Sequence, residues 1–173
     1  RSFGAVLKEG ISLDYEYRER IAALWRFEST FEGDELTSFD AYLSRCAADQ
    51  KEIYYAIGAS RAALDESPHL EALRKAEREV AFFTDPVDEW CVEGLREYKG
   101  KKLTSAMRAD VKLPDAPKES ERKARDVALK PLLDRTRAVL GDRVRDVRSS
   151  DRLTDSAACL VLPEGTPHLF VEQ

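Results

Sequence analysis

The chain has 173 residues, 43% hydrophobic and 35% charged, which is enough for one domain or two small ones with a buried core. This composition excludes a disordered or collagen-like protein. The net charge of -5 argues against nucleic acid as a partner, because phosphate binding needs an excess of Lys and Arg. No apolar run approaches the ~18 residues of a membrane span, and no signal peptide is recognisable, so we expect a cytoplasmic protein without a membrane partner. Because the sequence starts at Arg1 without an initiator Met, we expect a piece of something larger.

Two helices are predicted first. Apolar residues spaced three or four apart predict a helix from Leu13 to Ser29 with one buried face. Thr37, which can cap a helix, and Asp40 three residues later predict the start of a second, shorter helix.

Strands and helices then alternate. Compact runs of apolar and β-forming residues predict buried strands at 53–57, 80–83 and 103–107. Pro68 and Pro86 each follow a capping residue and open the helices between these strands. This order predicts a small α/β layer with a mainly parallel sheet.

The last third of the chain changes in composition. A stretch poor in apolar residues predicts a linker at 113–117, and the mixed charge run at 118–126 predicts a solvated helix. Pro131 is expected to restart a helix. Apolar residues at 144–147 and 158–162 predict two further strands.

The cysteines and histidines indicate neither a metal site nor a catalytic couple. Cys46, Cys91 and Cys159 are odd in number and far apart, which predicts reduced thiols rather than a disulfide framework or a zinc site. His69 and His168 are equally far apart, and we expect His69 at an exposed helix start. Neither of the two glycine-rich phosphate-binding motifs is present. These residues therefore predict neither a zinc site, a His–Cys catalytic couple nor a nucleotide site.

The segment from Asp85 to Trp90 carries the most enzyme-like pattern. Ligands of open α/β sheets bind beyond the carboxyl ends of strands, where Asp85 falls. The carboxylates of Asp85, Asp88 and Glu89 could bind Mg²⁺, or Asp85 could cap a helix with the other two in its first turn. Trp90 lies off the apolar stripe of that helix, so it is either at the core margin or an exposed anchor for a partner.

Several stretches match, in order, the motifs of one known family. Residues 35–42 (ELTSFDAY) resemble ELTSLxxY, residues 50–58 (QKEIYYAIG) resemble QKxIYYxxG, and residues 67–71 (SPHLE) resemble SPxLE. Residues 84–90 (TDPVDEW) resemble TDPIDEW, and residues 150–159 (SDRLTDSAAC) resemble SDRLxDSPAC. These are motifs of the heat shock protein 90 (Hsp90) family of molecular chaperones, and the resemblance is nearest to its bacterial, HtpG-type branch. It is collinear over essentially the whole chain.

The resemblance implies a segment of a longer, dimeric, ATP-dependent chaperone. Residues 1–35 would be the helical end of the middle-domain coil, and 36–112 its small three-layer α/β subdomain. Residues 113–117 would be a linker, and 118–173 the mixed α+β start of the C-terminal domain without its dimerisation helices. ATP, Mg²⁺ and the arginine that contacts the γ-phosphate would belong to parts of the parent protein outside this chain, so the resemblance implies no enzymatic activity here.

The resemblance also implies a surface for unfolded or partly folded client proteins. Bacterial relatives contact clients with the helix that carries Asp-Glu-Trp, which implies Glu89, Trp90 and Glu93 as client-binding residues. A Trp ring flanked by carboxylates suits segments that mix apolar and basic residues. Two alternatives stay open: an α/β enzyme that uses Asp85 and Asp88 with a divalent metal, and a structural connector with Trp90 in the core.

Overall fold

A computed structural model describes residues 2–31, 35–108 and 117–161. Its helices are α1 (Ser2–Leu13), α2 (Arg18–Leu24), α3 (Phe39–Arg45), α4 (Arg61–Asp65), α5 (Glu71–Lys75), α6 (Asp88–Leu95) and α7 (Glu119–Leu140). Its strands are β1 (Arg26–Ser29), β2 (Thr37–Ser38), β3 (Glu52–Ile57), β4 (Val80–Phe83), β5 (Glu97–Tyr98) and β6 (Lys101–Ser105). Short 3-10 helices lie at Pro68–Leu70 and Gly141–Arg143. None of the described helices combines the length and the apolar character needed to cross a lipid bilayer.

The described strands form one mixed sheet in the order β2-β1-β4-β3-β6-β5. The centre is parallel: Tyr55 of β3 lies opposite Ala81 of β4 on one side and Ser105 of β6 on the other. The outer strands β2, β1 and β5 pair antiparallel with their neighbours. The predicted α/β class and parallel centre are confirmed, and the antiparallel edges make the sheet mixed.

Helices cover both faces of the sheet. Ile53 and Tyr55 of β3 point into a core shared with α1, α2, α3 and α6, whereas Tyr54 and Ala56 point into a second core with α4 and α5. This alternation follows from the two-residue period of a strand and produces three layers. The first core is rich in aromatic rings: the side chain of Trp25, for example, stacks on Phe83 with ring centroids 4.8 Å apart.

The helix predicted over Leu13–Ser29 is wrong in its extent. The carboxylate of Asp14 accepts hydrogen bonds from the backbone N–H groups of Glu16 and Tyr17 at 3.0 and 3.2 Å, and this turn separates α1 from α2. The last part of the predicted helix is instead strand β1, which pairs with β4. Residues 1–35 are therefore not wholly helical, while the proposed domain boundaries stay predictions.

Several predicted starts are displaced by a few residues. Ser38, not Thr37, caps α3, because its Oγ accepts the N–H of Ala41 at 3.2 Å. Helix α6 begins at Asp88 rather than at Pro86, since the intervening residues form a turn.

The C-terminal third differs more from prediction. The charge run and the segment after Pro131 form the single helix α7, with the proline inside it. Residues 144–147, and 158–161 of the predicted strand 158–162, pair with no other strand among the described residues. Apolar spacing alone cannot form a strand, because the backbone needs a neighbour for its hydrogen bonds. The predicted linker 113–117, apart from its last residue, lies outside the described residues.

Candidate functional site

One side of α6 exposes two of the three residues predicted to bind a client, Trp90 and Glu93. The side chain of Trp90 is 65% exposed, whereas Trp25 is 3% exposed in the core. Pro86, Trp90 and Glu93 are all exposed, at spacings of four and three residues, so they line one side of the turn and helix. The alternative that places Trp90 in the core is therefore wrong.

The other side of α6 anchors the helix to the sheet. Cys91, Val92 and Leu95 are buried in the first core. Glu89 is also on the buried side, with 7% exposure, so its carboxylate is not on the surface that carries Trp90. The structure thus brings Trp90 and Glu93 together, and the predicted role of Glu89 in client binding stays a prediction that its position does not favour.

Helix α1 packs on α6 and fixes the backbone beneath Trp90. The hydroxyl of Ser12 donates a hydrogen bond to the carbonyl oxygen of Trp90 at 3.1 Å, and the thiol of Cys91 lies 3.3 Å from the carbonyl oxygen of Lys8. A Cβ on Gly94 would lie 2.7 Å from the Ser12 hydroxyl, so this close approach requires glycine. Burial raises the pKa of Cys91 to about 12, which keeps the thiol protonated.

Lys8 of α1 lies between the two aspartates that begin the α6 segment. Its ammonium group is 2.6 Å from the carboxylate of Asp85 and 2.7 Å from that of Asp88. Burial raises the pKa of Asp88, and hydrogen bonds to both carboxylates raise the pKa of Lys8 although its own burial opposes this. The prediction that the Asp85 side chain caps the helix is therefore wrong, because that side chain binds Lys8.

This ion pair bears directly on the alternative of a divalent-metal site at Asp85 and Asp88. The Lys8 ammonium occupies the space between Asp85 and Asp88 in which a divalent cation would bind. Across the described parts of the chain, no group of three or more His, Cys, Asp or Glu side chains is arranged to hold a metal ion. The geometry therefore gives the alternative of a metal-dependent α/β enzyme no support.

A second polar cluster joins residues 150–156 to the α/β layer. The guanidinium group of Arg152 is buried and donates hydrogen bonds to the carbonyl oxygens of Ala106, at 2.8 Å, and Arg108. It also contacts Nδ1 of His69 at 3.0 Å, and since arginine only donates, this nitrogen accepts. The prediction of an exposed His69 is wrong: its side chain is buried under Arg152.

Glu71, at the start of α5, binds the same segment from the other side. Its carboxylate accepts the backbone N–H groups of Thr154, Asp155 and Ser156 at 2.5, 2.9 and 3.1 Å. Hydrogen bonds from Ser156, and then from the backbone of Asp155 and Thr154, hold the pKa of Glu71 at about 2. We call the contacts of Arg152 and Glu71 the clasp.

The side chain of Asp151, the residue before Arg152, contacts helix α7 instead of the α/β layer. The carboxylate of Asp151 pairs with the guanidinium groups of Arg122 and Arg125 on α7, each at 2.7 Å. Two neighbouring side chains of opposite charge therefore link α7 to the α/β layer. This arrangement could not be predicted from the sequence, because nothing in the residue spacing indicates that Asp151 and Arg152 have partners on different elements.

We expect Glu71→Gln to destabilise the protein by about 1 kcal/mol at pH 7, a value reduced by solvent around the carboxylate. Because the folded-state pKa is below that of an unfolded glutamate, the stabilisation is complete above pH 4.5 and disappears as the pH falls towards 2. The difference in unfolding free energy between wild type and variant, measured by urea titration at several pH values, should therefore shrink in acid. An equal difference at pH 7 and pH 3 would contradict this assignment.

Comparison with known proteins identifies the family. The family model described as Hsp90 protein matches residues 1–165. This chain belongs to the Hsp90 family. The chaperone protein HtpG of Myxococcus xanthus is 47% identical over 100% of this chain, and that of Geobacter metallireducens is 50% identical over 95%. The chain spans 26% of the length of each of these relatives.

A solved structure of a heat shock protein supports the same assignment. The middle domain of a Plasmodium falciparum putative heat shock protein matches with a TM-score of 0.59 and 38% identity, over 62% of this chain and 45% of that one. The predicted resemblance to Hsp90 chaperones, which function in the heat shock response and protein folding, is thereby confirmed. Two of the Hsp90-like stretches, 67–71 and 150–159, contact each other through the clasp.

Proposed function

We propose that this chain is a client-binding and force-transmitting segment of a bacterial Hsp90 chaperone. In this proposal the parent protein is a cytoplasmic homodimer that hydrolyses ATP with Mg²⁺, and this segment couples its ATPase domain to its dimerisation domain. The segment has no enzymatic activity of its own and holds neither cofactor. Its partners are unfolded or partly folded proteins and the rest of its own chain.

The exposure of Trp90 carries the client-binding part of the proposal. A side chain of this size and apolarity is normally buried, and an exposed Trp is the residue type most enriched where proteins bind one another. Trp90 lies on α6, whose backbone is held on the side facing α1 by the hydrogen bond from Ser12 and by the Lys8–Asp88 ion pair. A client would therefore meet a preorganised ring, which lowers the entropic cost of binding.

The charge around Trp90 favours clients of mixed composition. Across residues 2–18 and 84–97, which contain α1 and α6, six acidic residues outside the buried pair Asp88 and Glu89 stand against three basic ones. Apolar groups of a client would cover the indole ring, and its Lys or Arg residues would be attracted by the surrounding carboxylates. Such binding is expected to be weak and to weaken further with salt.

The test is a titration of the protein with a fluorescently labelled, permanently unfolded protein. We expect Trp90→Ala to lower the affinity at least about tenfold, because truncating an interface Trp anchor costs roughly 2 kcal/mol or more. Leu132→Ala is the matched control, since Leu132 is 60% exposed on α7. It should bind the unfolded protein as the wild type does, with circular dichroism confirming that both variants are folded.

Equal affinity of wild type and Trp90→Ala would remove client binding from this surface. The segment would then act as a connector only. The clasp supports the transmitting part of the proposal independently, because a buried guanidinium with several acceptors resists displacement more than a solvated contact does.

A further inference from the structure

Helices α1 and α6 approach each other closely one helical turn after Trp90. A Cβ on Gly94 would lie 2.7 Å from the hydroxyl oxygen of Ser12 and 3.2 Å from its Cα, so this contact leaves no room for a side chain. The same hydroxyl donates its hydrogen bond to the carbonyl oxygen of Trp90 at 3.1 Å. Glycine is unfavourable inside a helix relative to alanine, so the contact with α1, not the helix itself, accounts for glycine at this position.

Helix α1 also holds α6 one turn earlier. Lys8, four residues before Ser12, pairs with Asp85 and Asp88 at the start of the α6 segment. The contacts of Lys8 and Ser12 lie about 6 Å apart along α1. Two directional contacts at different heights restrict both sliding and rotation of α6 on α1. The position of Trp90, which lies between them on α6, is therefore determined by α1.

We propose that Ser12 and Gly94 are positioning residues for client binding, through which α1 holds the part of α6 that carries Trp90 in the place where a client meets it. This inference rests on the proposed function and names residues that control the affinity of that site. Neither residue has to touch the client, because both act on the backbone of α6. A displaced backbone would carry the indole ring away from its preorganised position and lose contacts with the client.

Gly94→Ala tests the close approach. Alanine favours the helix more than glycine does, but its Cβ would force α1 and α6 apart. We expect the affinity for the labelled, permanently unfolded protein to fall about three- to tenfold. Ser12→Ala is the milder variant, which removes the hydrogen bond without overpacking the contact. It should lower the affinity about two- to threefold.

The double variant Ser12→Ala/Gly94→Ala separates positioning from a direct effect of the added methyl group. It lacks the oxygen atom that lies nearest to the new Cβ. If α1 positions Trp90, the double variant should bind the unfolded protein more tightly than Gly94→Ala does, because the two substitutions are coupled through one contact. A methyl group that interfered with the client directly would weaken binding equally in both variants.

Two matched controls carry the same substitutions away from the α1–α6 contact. Gly4→Ala adds a methyl group to an exposed residue of α1, where the space around the new Cβ is open. Ser44→Ala removes a hydroxyl that donates to a carbonyl of its own helix, that of Ala41, at 2.7 Å. Both should bind the unfolded protein as the wild type does, with circular dichroism confirming that every variant is folded.

Fluorine NMR of the protein labelled with 5-fluorotryptophan follows Trp90 without any client. The chain has two tryptophans, and Trp90→Phe assigns their resonances. Gly94→Ala should shift the Trp90 resonance, and the double variant should return it towards its wild-type position. An unshifted resonance in Gly94→Ala would overturn the positioning role.

The binding measurements separate this inference from the proposed function. If Trp90→Ala loses affinity while Gly94→Ala binds like the wild type, the client surface stands and the positioning role is rejected. Equal affinity of Gly94→Ala and the double variant rejects it as well. If Trp90→Ala itself binds like the wild type, the proposed function fails.

Discussion

Lys8→Met should cost the protein about 3 to 5 kcal/mol of unfolding free energy at pH 7, the range found when one partner of a buried ion pair is removed. The methionine fills much of the same volume, but it leaves the carboxylate of Asp88, whose side chain is 3% exposed, without a cation. Unfolding by urea, followed by circular dichroism, measures the loss. Lys99→Met is the control, because the pair of Lys99 with Asp40 is exposed on both sides and should contribute little to stability.

The loss in Lys8→Met should depend on pH. Burial already raises the pKa of Asp88 above its ordinary value, and removing the ammonium group raises it further. A raised folded-state pKa of an acid favours the protonated form, so the penalty is largest at neutral pH and falls as the pH is lowered towards the range of an ordinary carboxyl group. A destabilisation that is the same at pH 7 and pH 5 would mean that Asp88 has another partner in the variant.

Arg152→Met should destabilise the protein by about 2 to 4 kcal/mol, because the carbonyl oxygens of Ala106 and Arg108 lose their buried donor and His69 loses a contact. Hydrogen exchange should locate the damage: the amides of 154–156, which bind Glu71, should exchange faster before the sheet does. This pattern separates opening of the clasp from general unfolding.

Two further variants test whether the destabilisation comes from the lost contacts of the Arg152 guanidinium group. Arg152→Lys should lose less unfolding free energy than Arg152→Met but should be less stable than wild type. One ammonium group cannot reproduce the planar guanidinium group, whose N–H donors reach several acceptors at once. Arg137→Met, which removes the exposed pair with Asp146, should have little effect. If Arg152→Met were no more destabilising than Arg137→Met, the clasp would not contribute to stability.

The sheet centre could be predicted from sequence because its strands are buried on both faces. The runs at 53–57 and 80–83 are apolar without interruption, and they are strands β3 and β4. Strands β1, β2 and β5 escaped prediction, because they are two to four residues long and exist through pairing with neighbours far along the chain. Local periodicity contains no information about such partners.

The exposed side of α6 was predictable only in part. Spacing placed Trp90 off the apolar stripe, and burial in the structure decided between core margin and exposed anchor. The resemblance that suggested Glu89 could not show that this carboxylate lies on the buried side. Lys8 and Ser12 were not predicted as parts of the site, because they come from α1 and reach α6 only through tertiary packing.

The opposed side chains of Asp151 and Arg152 have a mechanical consequence. One peptide bond separates the residue that holds α7 from the residue that holds the α/β layer. From Arg122 to its end at Leu140, helix α7 is a rod of about 27 Å at 1.5 Å per residue. A rotation of only about 10° at this joint would carry the far end of the rod through about 5 Å. The Asp151–Arg152 dipeptide can thus act as a pivot for helix α7. A small change of angle at the dipeptide displaces the far end of the helix by about the length of a side chain.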